Sequence, residues 1–273
     1  DMEGILLGVI VFIKSNLWLV LSVIVFKSFV PKNYYANILT SMNGFCGVLS
    51  MISALYFGNI IWAATFIFTG GIFDLFDGKL ARLFGGTPRG ELFDDLADLV
   101  TFGFAPGTIV FKFGHGHTWI FGLIYVISVG YRLKRFSEED KKRTDLPEGI
   151  FNGLPSPGGA GIVLAISLIS LNGFVLGFAS IVASGLMISR IKFTHFGQIL
   201  PEQISKSKRK TRAFGFALSI VIIAALNQLI KTKVAHSFGW ILLSLICLYM
   251  VIGIITAIQA QKRHQSLPVT EPV

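Results

Sequence analysis

The sequence predicts an all-α, polytopic transmembrane protein, and three observations support this fold class. Hydrophobic residues make up 53% of the 273 residues and charged residues only 14%, whereas a soluble domain carries about 25% charged residues. The mean hydropathy is +0.69. Apolar runs of roughly 18 residues or more recur along the chain, and each can cross a hydrocarbon core of about 30 Å. Such continuous runs argue against an outer-membrane barrel, whose strands alternate polar and apolar residues.

About eight membrane spans are expected from the apolar runs and the residues that interrupt them. Their approximate bounds are 38–57, 59–83, 91–113, 118–133, 157–171, 174–190, 212–230 and 237–259. The fifth and sixth spans are expected to form a tight hairpin that is broken at Asn172 and Gly173. One continuous helix of that length would greatly overshoot the bilayer, and Asn-Gly favours a turn.

The apolar pattern also divides the chain into four regions. Residues 1–30 are apolar but carry Lys14 near the middle, so they form either a ninth span or an interfacial helix. A core is expected at 31–195, two further transmembrane helices at 196–260, and a polar tail at 261–273.

The basic charge of the chain indicates its orientation in the membrane. The formal net charge is +9, which in a soluble protein would suggest nucleic acid as a partner. Here the Lys and Arg residues lie in short loops between apolar runs, so we expect contact with anionic membrane lipids and no nucleic acid. The basic loops follow the second, fourth, sixth and eighth spans. By the positive-inside rule these loops face the cytoplasm, and only Lys231 and Lys233 depart mildly from the pattern.

Four aspartates form the strongest candidate for a chemical site. Asp74 and Asp77 lie three residues apart near the end of the second span, and Asp94 and Asp98 lie four apart at the start of the third. Each spacing places two carboxylates on one helical face, and the short loop between the spans brings both pairs to the same end. Carboxylates in a membrane helix are costly and repel one another. One or two hard cations such as Mg²⁺, Mn²⁺ or Ca²⁺ would relieve this repulsion.

Small residues and one arginine lie between the two acidic pairs. Gly78, Ala81 and Gly90 leave room for a bulky ligand against the backbone, and Arg82 offers a forked cation that suits phosphate. Small residues in membrane helices also serve as packing contacts. Their fixed offsets from the acids favour the ligand site.

This pattern resembles the signature of the CDP-alcohol phosphotransferase family. Its eight fixed positions read Asp74-x-x-Asp77-Gly78-x-x-Ala81-Arg82, then seven residues, then Gly90-x-x-x-Asp94-x-x-x-Asp98. The spacer after Arg82 is one residue shorter than the family's usual eight or so, but it lies in a loop, where length varies readily.

Further segments resemble the branch of this family that uses serine as the acceptor. They are Asn37-x-Leu39-Thr40-x-x-Asn43-x-x-x-Gly47, Leu96-Ala97-Asp98-Leu99-Val100-Thr101-Phe102-Gly103-Phe104-Ala105-Pro106, Arg132-Leu133-x-Arg135-Phe136, Phe151-x-Gly153-Leu154-Pro155-x-Pro157 and Ser189-Arg190-Ile191-Lys192. The chain departs from the branch at Thr101 and Asp95, where Ser is commoner, and at Lys134, where a small residue is commoner.

The resemblance implies a membrane transferase. An alcohol attacks the lipid-side phosphorus of CDP-diacylglycerol or an archaeal CDP-lipid, and CMP leaves; with L-serine as acceptor the product is phosphatidylserine. It implies that Asp74, Asp77, Asp94 and Asp98 hold Mg²⁺ or Mn²⁺, with two ions expected, and that Asp98 is also the general base. The CDP moiety is assigned by the same resemblance to Gly78, Ala81, Arg82, Gly90 and Asn43. A homodimer is expected from the resemblance alone.

The residues that recognise the acceptor are open to two interpretations. Arg132, Arg135 and Arg190 are candidates for binding the serine carboxylate or a lipid phosphate. The same arginines would equally serve as cytoplasmic charges that set the topology.

Three alternatives to serine transfer make different demands on these residues. The acceptor could be glycerol 3-phosphate, inositol phosphate or choline, because the acids perform chemistry that these reactions share. A divalent-cation transporter would place acids near mid-membrane along a pathway, whereas these acids cluster at one edge. A purely structural role, in which Lys79, Arg82 and Arg89 pair with the carboxylates, would explain one or two acids but not two spaced pairs.

Overall fold

The computed structural model describes residues 31–114, 119–138, 150–194 and 235–266. This part of the chain is mostly helical, in agreement with the predicted class. The helices are α1 (Tyr35–Leu55), α2 (Ile60–Phe84), α3 (Gly90–Asp98), α4 (Ala105–Phe113), α5 (Trp119–Glu138), α6 (Ser156–Ile169), α7 (Gly173–Ile188) and α8 (Ala235–Ser266). The apolar segment at 4–30 and the seventh expected span at 212–230 lie outside the described residues.

Four helical segments of the described part are long and apolar enough to cross a membrane. They are Lys32–Leu55, Ile60–Phe84, Gly90–Phe113 and Ala235–Gln261. α6 and α7 are apolar but shorter. Large apolar side chains on the outer faces, such as Phe45 and Phe178, are exposed, as expected where lipid rather than water surrounds a helix. The expectation of eight spans is supported only as far as these helices, and the full number stays a prediction.

α1 and α2 form a close antiparallel hairpin. The turn between them contains Gly58 at φ 58°, a left-handed conformation that glycine adopts without steric cost. Asn59 then caps α2, because its Oδ1 accepts hydrogen bonds from Ile61 N at 3.1 Å and Trp62 N at 3.0 Å. The hairpin carries the candidate site at its opposite end, where α2 finishes and α3 begins.

The third span is one continuous rod with an irregular middle. α3 ends at Asp98, a π-helical segment runs over Leu99–Phe104, and α4 follows without a break. Two side chains from neighbouring helices hold this segment. Thr101 Oγ1 donates to Asn43 O of α1 at 2.8 Å, and Tyr125 OH of α5 donates to Phe102 O at 2.8 Å. The sequence predicted the rod but not the π segment, which lies directly after a candidate catalytic residue, where such bulges are often found.

The rod packs almost backbone to backbone against α1 and α2. A Cβ atom placed on Gly47 would lie 2.8 Å from Thr101 Cα, and one on Gly70 would lie 2.7 Å from Thr101 Cγ2. These glycines are therefore packing contacts of the kind that membrane helices use.

The predicted break at Asn172 and Gly173 is confirmed. α6 ends at Ile169, α7 begins at Gly173, and Asn172 Oδ1 accepts hydrogen bonds from Phe174 N at 3.0 Å and Val175 N at 3.4 Å. The Asn-Gly pair thus stops one helix and caps the next.

A short β-ribbon modifies the all-α prediction. β1 (Ile150–Asn152) pairs antiparallel with β2 (Lys192–Thr194), and Phe151 lies opposite Phe193. α8 reaches this ribbon, because Lys192 Nζ donates to Gln261 Oε1 at 2.9 Å. The ribbon therefore joins the segments on either side of the α6–α7 hairpin to the last helix.

Candidate functional site

Three of the four predicted aspartates converge. Carboxylate oxygens of Asp74, Asp94 and Asp98 all lie within 4.8 Å of one another. Asp74 lies in the second half of α2, ten residues before its end, and the other two come from α3, one turn apart. The antiparallel arrangement of the two helices therefore produces the juxtaposition that the sequence predicts.

Asp77 lies beside this trio on α2. It is buried, with 3% of its surface exposed, and it interacts electrostatically with Asp94 and Asp74. Its Oδ2 accepts a 2.8 Å hydrogen bond from Thr40 Oγ1. Asp77 is thus a neighbour of the trio whose orientation α1 holds, but it is not one of the three acids whose oxygens lie within 4.8 Å of one another.

α1 supplies a second orienting contact to the acids. Asn43 Nδ2 donates to Asp98 Oδ1 at 3.0 Å. Thr40 and Asn43 lie three residues apart and therefore share one helical face. The sequence pattern alone does not predict this role of Thr40. The signal was present, because two polar side chains with helical spacing in an apolar segment usually face a polar neighbour.

The residues present fit a divalent metal. Three carboxylates whose oxygens lie within 4.8 Å offer an all-oxygen ligand set, and hard cations such as Mg²⁺ and Mn²⁺ prefer such ligands. The hydrogen bonds from Thr40 and Asn43 fix two of the acids, and outer contacts of this kind tune metal sites. Asp74, Asp94 and Asp98 would hold the ion, with Asp77 next to them.

A cavity of 630 Å³ opens beside the acids. Asp77 and Asp94 line one part of it, and four of the five residues assigned to CDP line it as well: Gly78, Ala81, Arg82 and Gly90. Its size lies within the range of about 300–1,000 Å³ that is usual for small-molecule sites. Six of the eight fixed residues of the sequence pattern therefore surround one space, and Asp74 and Asp98 do not line it.

Gly78 faces this space rather than another helix. A Cβ atom placed on Gly78 would have Arg82 Nη1, at 3.8 Å, as its nearest neighbour. Packing within the protein therefore does not require glycine here, in contrast to Gly47 and Gly70. This open surrounding supports a ligand site at Gly78 and not a helix-packing contact.

Asn43 is the fifth residue assigned to CDP, and this assignment stays a prediction. It is fully buried, and the contacts that the structure gives it are to Asp98 and to Thr101. It is not among the residues that line the 630 Å³ cavity. These contacts favour a role in orienting the acid.

Arg132 is the acceptor candidate that lies next to the acids. It is buried, its guanidinium interacts electrostatically with Asp74 and Asp98, and its Nη1 donates to Ser156 Oγ at 3.2 Å. The guanidinium carbon also lies 5.0 Å from the ring centre of Phe136. Arg132 is therefore a cation beside the acids whose position is fixed by Ser156 and Phe136.

Arg135 and Arg190 have different surroundings. The Arg135 guanidinium donates to main-chain carbonyls at the end of α7 and in β1, namely Ile188 O at 2.6 Å, Asn152 O at 2.8 Å and Met187 O at 3.0 Å. Arg190 is exposed. Of the three arginines, Arg132 thus lies beside the acids, and Arg135 connects the β-ribbon to the end of α7.

Comparison with known proteins agrees with this geometry. The sequence model described as CDP-alcohol phosphatidyltransferase matches residues 33–190. The chain is 36% identical over 181 residues to the CDP-diacylglycerol–serine O-phosphatidyltransferase of Bacillus subtilis. The aligned region covers 64% of this chain and 98% of that protein. It is 34% identical over 176 residues to the enzyme of that name from Saccharomyces cerevisiae, covering 60% of this chain and 59% of the yeast protein. For the Helicobacter pylori (strain J99) protein of that name the identity is 30% over 183 residues, covering 62% of this chain and 75% of the relative.

The matched region, 33–190, contains the four aspartates, the cavity and the ribbon strand β1. It makes up more than half of the chain, and it is the region in which the structure assembles the site. The chain belongs to the CDP-alcohol phosphatidyltransferase family.

Proposed function

We propose that this protein transfers a phosphatidyl group from CDP-diacylglycerol to L-serine and releases CMP, in a metal-dependent reaction. The observation that carries the proposal is the carboxylate trio of Asp74, Asp94 and Asp98 beside a cavity of 630 Å³. The printed names of the relatives, which share 30–36% identity with this chain, support serine as the acceptor.

The cavity residues bind the CDP part of the substrate. Arg82 contributes a forked cation for a phosphate, and the open side of Gly78 lets the nucleotide approach the backbone. A divalent ion bound by the aspartates would neutralise the diphosphate and acidify the attacking hydroxyl. We propose Mg²⁺ or Mn²⁺ and two ions, because four acids share this end of the helices.

Asp98 accepts the proton of the serine hydroxyl. The serine oxygen then forms a bond to the lipid-side phosphorus, and the bond from that phosphorus to the oxygen of CMP breaks. Asn43 keeps the Asp98 carboxylate aimed through its 3.0 Å hydrogen bond, and a positioned base of this kind contributes about 10² to 10⁴ in rate.

Arg132 binds the serine carboxylate. Its position beside Asp74 and Asp98 would place the serine next to the base. Its hydrogen bond to Ser156 and its packing against Phe136 hold the guanidinium in place, so little side-chain freedom is lost when the acceptor binds. Arg135 and Arg190 remain alternatives for this role or for lipid phosphate.

The remaining expectations concern the whole protein. We propose a multi-pass membrane protein of about eight spans whose cavity faces the cytoplasm, and the basic loops near the acids support this orientation. The core at 31–195, the helices at 196–260 and a homodimer are part of the same proposal. The acids lie in the half of α2 and the half of the Gly90–Phe113 span that are nearest to the α2–α3 loop. This position argues against the transporter alternative, which requires a pathway through mid-membrane.

The test is CMP release by the purified protein in lipid vesicles that contain CDP-diacylglycerol. We expect release with L-serine and Mg²⁺ or Mn²⁺, loss of release with a chelator, and recovery with divalent but not monovalent salt. Glycerol 3-phosphate, inositol phosphate and choline are the comparison acceptors. Release that needs one of these instead of serine would reassign the acceptor, and release without metal would contradict the role of the carboxylates.

A further inference from the structure

The last helix, α8, packs antiparallel to α6, and two glycines show the register. A Cβ atom placed on Gly239 of α8 would lie 2.8 Å from Ala165 O and 2.8 Å from Ile169 Cγ1 of α6. A Cβ atom placed on Gly161 of α6 would lie 2.6 Å from Ile246 Cδ1 of α8. As α8 advances, its neighbours on α6 therefore move back toward the start of α6.

This register brings Tyr249 to the level of the first turn of α6. Tyr249 follows Ile246 by three residues, so both side chains lie on one face of α8. The first residue of α6 is Ser156, whose Oγ accepts a hydrogen bond from Arg132 Nη1 at 3.2 Å. The family match ends at residue 190, so the family pattern gives Tyr249 no role.

Tyr249 and Arg132 share their apolar surroundings. The Arg132 guanidinium carbon lies 5.0 Å from the ring centre of Phe136 and 5.9 Å from that of Phe151. Phe151 belongs to a buried apolar cluster, and Phe136 and Tyr249 both pack against this cluster. Tyr249 is half-buried and interacts electrostatically with the Arg132 guanidinium. The last helix thus brings a phenol group close to the arginine that the proposed function assigns to the acceptor.

A phenol near a guanidinium can restrain its orientation. The phenol oxygen carries a partial negative charge and can accept hydrogen bonds. A guanidinium that binds a carboxylate through two parallel bonds must keep one orientation, and Ser156 restrains only one of its nitrogens in a printed hydrogen bond. We propose that Tyr249 is a positioning residue that restrains the Arg132 guanidinium from the side of α8, so that acceptor binding depends on the last helix; this inference rests on the proposed function.

The test measures the KM of each substrate separately. Initial rates of CMP release by the purified full chain are recorded in vesicles, first with varied L-serine and then with varied CDP-diacylglycerol. We expect Tyr249→Phe to raise the KM for serine by about 3-fold to 10-fold. The KM for the CDP-lipid and the Tm should stay parental, because the ring that packs against the apolar cluster is kept.

Met250→Ala is the matched control on the same helix. Met250 is the next residue of α8, is half-buried, and packs against the same apolar cluster. This variant weakens the packing of α8 but leaves the phenol in place. We expect a lower Tm and a parental KM for serine at a temperature where the protein is folded.

A double variant tests whether Tyr249 acts through Arg132. If it does, Tyr249→Phe should add little to the serine KM of Arg132→Lys, because lysine has no fork for the phenol to orient. Independent sites would instead multiply their effects on KM. Multiplied effects would overturn the inference.

The remaining outcomes separate this inference from the proposed function. If the parent transfers to serine and Tyr249→Phe has the parental KM for serine, the inference is wrong while the proposed function stands. If Met250→Ala raises the KM for serine as much as Tyr249→Phe does, α8 acts through packing alone, and the inference is again wrong. If the parent releases no CMP with serine, the proposed function itself fails.

Discussion

At the residue scale, Asp98 combines two roles that a conservative substitution can separate. Its Oδ1 accepts from Asn43 Nδ2 at 3.0 Å, and its carboxylate belongs to the trio with Asp74 and Asp94. Asp98→Asn keeps the shape but removes the base, so we expect CMP release to fall by about 10² to 10⁴ while the CDP-lipid still binds. Both quantities are measured on the same preparation.

Asp95→Asn is the control for this substitution. Asp95 is the neighbour of Asp94 on α3 but is not part of the carboxylate trio, so its variant should retain parental CMP release. If Asp98→Asn turned over like the parent, Asp98 would have no part in the mechanism.

Two glycines on neighbouring helices should respond differently to the same change. Gly78→Ala places a methyl group in the cavity, where the nearest atom is 3.8 Å away, so we expect a higher KM for the CDP-lipid and an unchanged Tm. Gly47→Ala drives a Cβ atom to within 2.8 Å of Thr101 Cα, and such overpacking costs about 1–3 kcal/mol. Thermal unfolding and CMP release are measured for both variants. A lower Tm for Gly78→Ala would show instead that Gly78 is a packing contact.

Substitution by lysine should separate the three arginines. Lysine keeps the charge but cannot reproduce a fork, so we expect Arg132→Lys to lower the apparent affinity for serine more than that for the CDP-lipid. A lost charged contact costs about 2–4 kcal/mol, or roughly 30-fold to nearly 1000-fold. Arg135→Lys should lower the Tm instead, because one ammonium group cannot replace a guanidinium that donates to four main-chain carbonyls. Arg190 is exposed, and Arg190→Lys should behave like the parent.

The readout is the affinity for each substrate, measured separately for the three variants. A loss for the CDP-lipid alone in Arg132→Lys would assign this arginine to phosphate. If all three variants matched the parent for both substrates, none of the arginines would belong to the acceptor site.

At the element scale, the π segment links the catalytic helix to its neighbours. It begins at Leu99, directly after Asp98, and Tyr125 OH of α5 holds its Phe102 carbonyl at 2.8 Å. Tyr125 is fully buried, so Tyr125→Phe leaves a carbonyl without that donor at a cost of about 1–3 kcal/mol. We expect a lower Tm together with a reduced kcat, because the segment sets the direction of α3.

Tyr131→Phe is the control on the same helix. Tyr131 is exposed, and its ring contact with Arg135 does not need the hydroxyl, so both Tm and kcat should stay parental. If Tyr125→Phe lowered only the Tm, with kcat unchanged at a temperature where the protein is folded, the π segment would stabilise the fold without positioning Asp98.

The elements that the sequence predicts are those with local signals. Asn172 marks the start of α7 because an asparagine side chain can cap the free amides of the next turn. The convergence of the acids is also predictable, because each pair has helical spacing and the short α2–α3 loop makes the two helices antiparallel neighbours. The π segment gives no such signal, since an extra residue in a helical turn barely changes the apolar pattern over Leu99–Phe104.

The surroundings of Arg135 and the β-ribbon escape prediction for a related reason. Each strand has three residues, too few to show an alternating pattern, and the strands lie 40 residues apart in the chain. The partners of Arg135 are main-chain carbonyls, which every residue type carries. A buried arginine that serves the fold therefore has the same sequence pattern as one that binds an anion.

At the scale of the whole molecule, the last helix lies outside the family match but packs into the apolar core of the matched region. The match ends at residue 190, whereas α8 begins at Ala235. Ile246 of α8 is buried in the same apolar cluster as Tyr125 and Phe151. The described part of α8 therefore packs against the ribbon and α6. α6 in turn carries Ser156, which accepts a hydrogen bond from Arg132 of α5.

The proposed cytoplasmic orientation of the cavity can be tested at the two ends of α2. Pro88, in the α2–α3 loop beside the cavity, and Tyr56, in the α1–α2 turn, are both exposed and lie at opposite ends of α2. Cys247 is exposed and Cys46 is buried, so a Cys247→Ser background leaves few competing thiols for a labelling experiment. With the cavity in the cytoplasm, Tyr56→Cys should react with a membrane-impermeant maleimide on intact cells. Pro88→Cys should react only after permeabilisation, and the opposite pattern would place the CDP cavity on the outer face of the membrane.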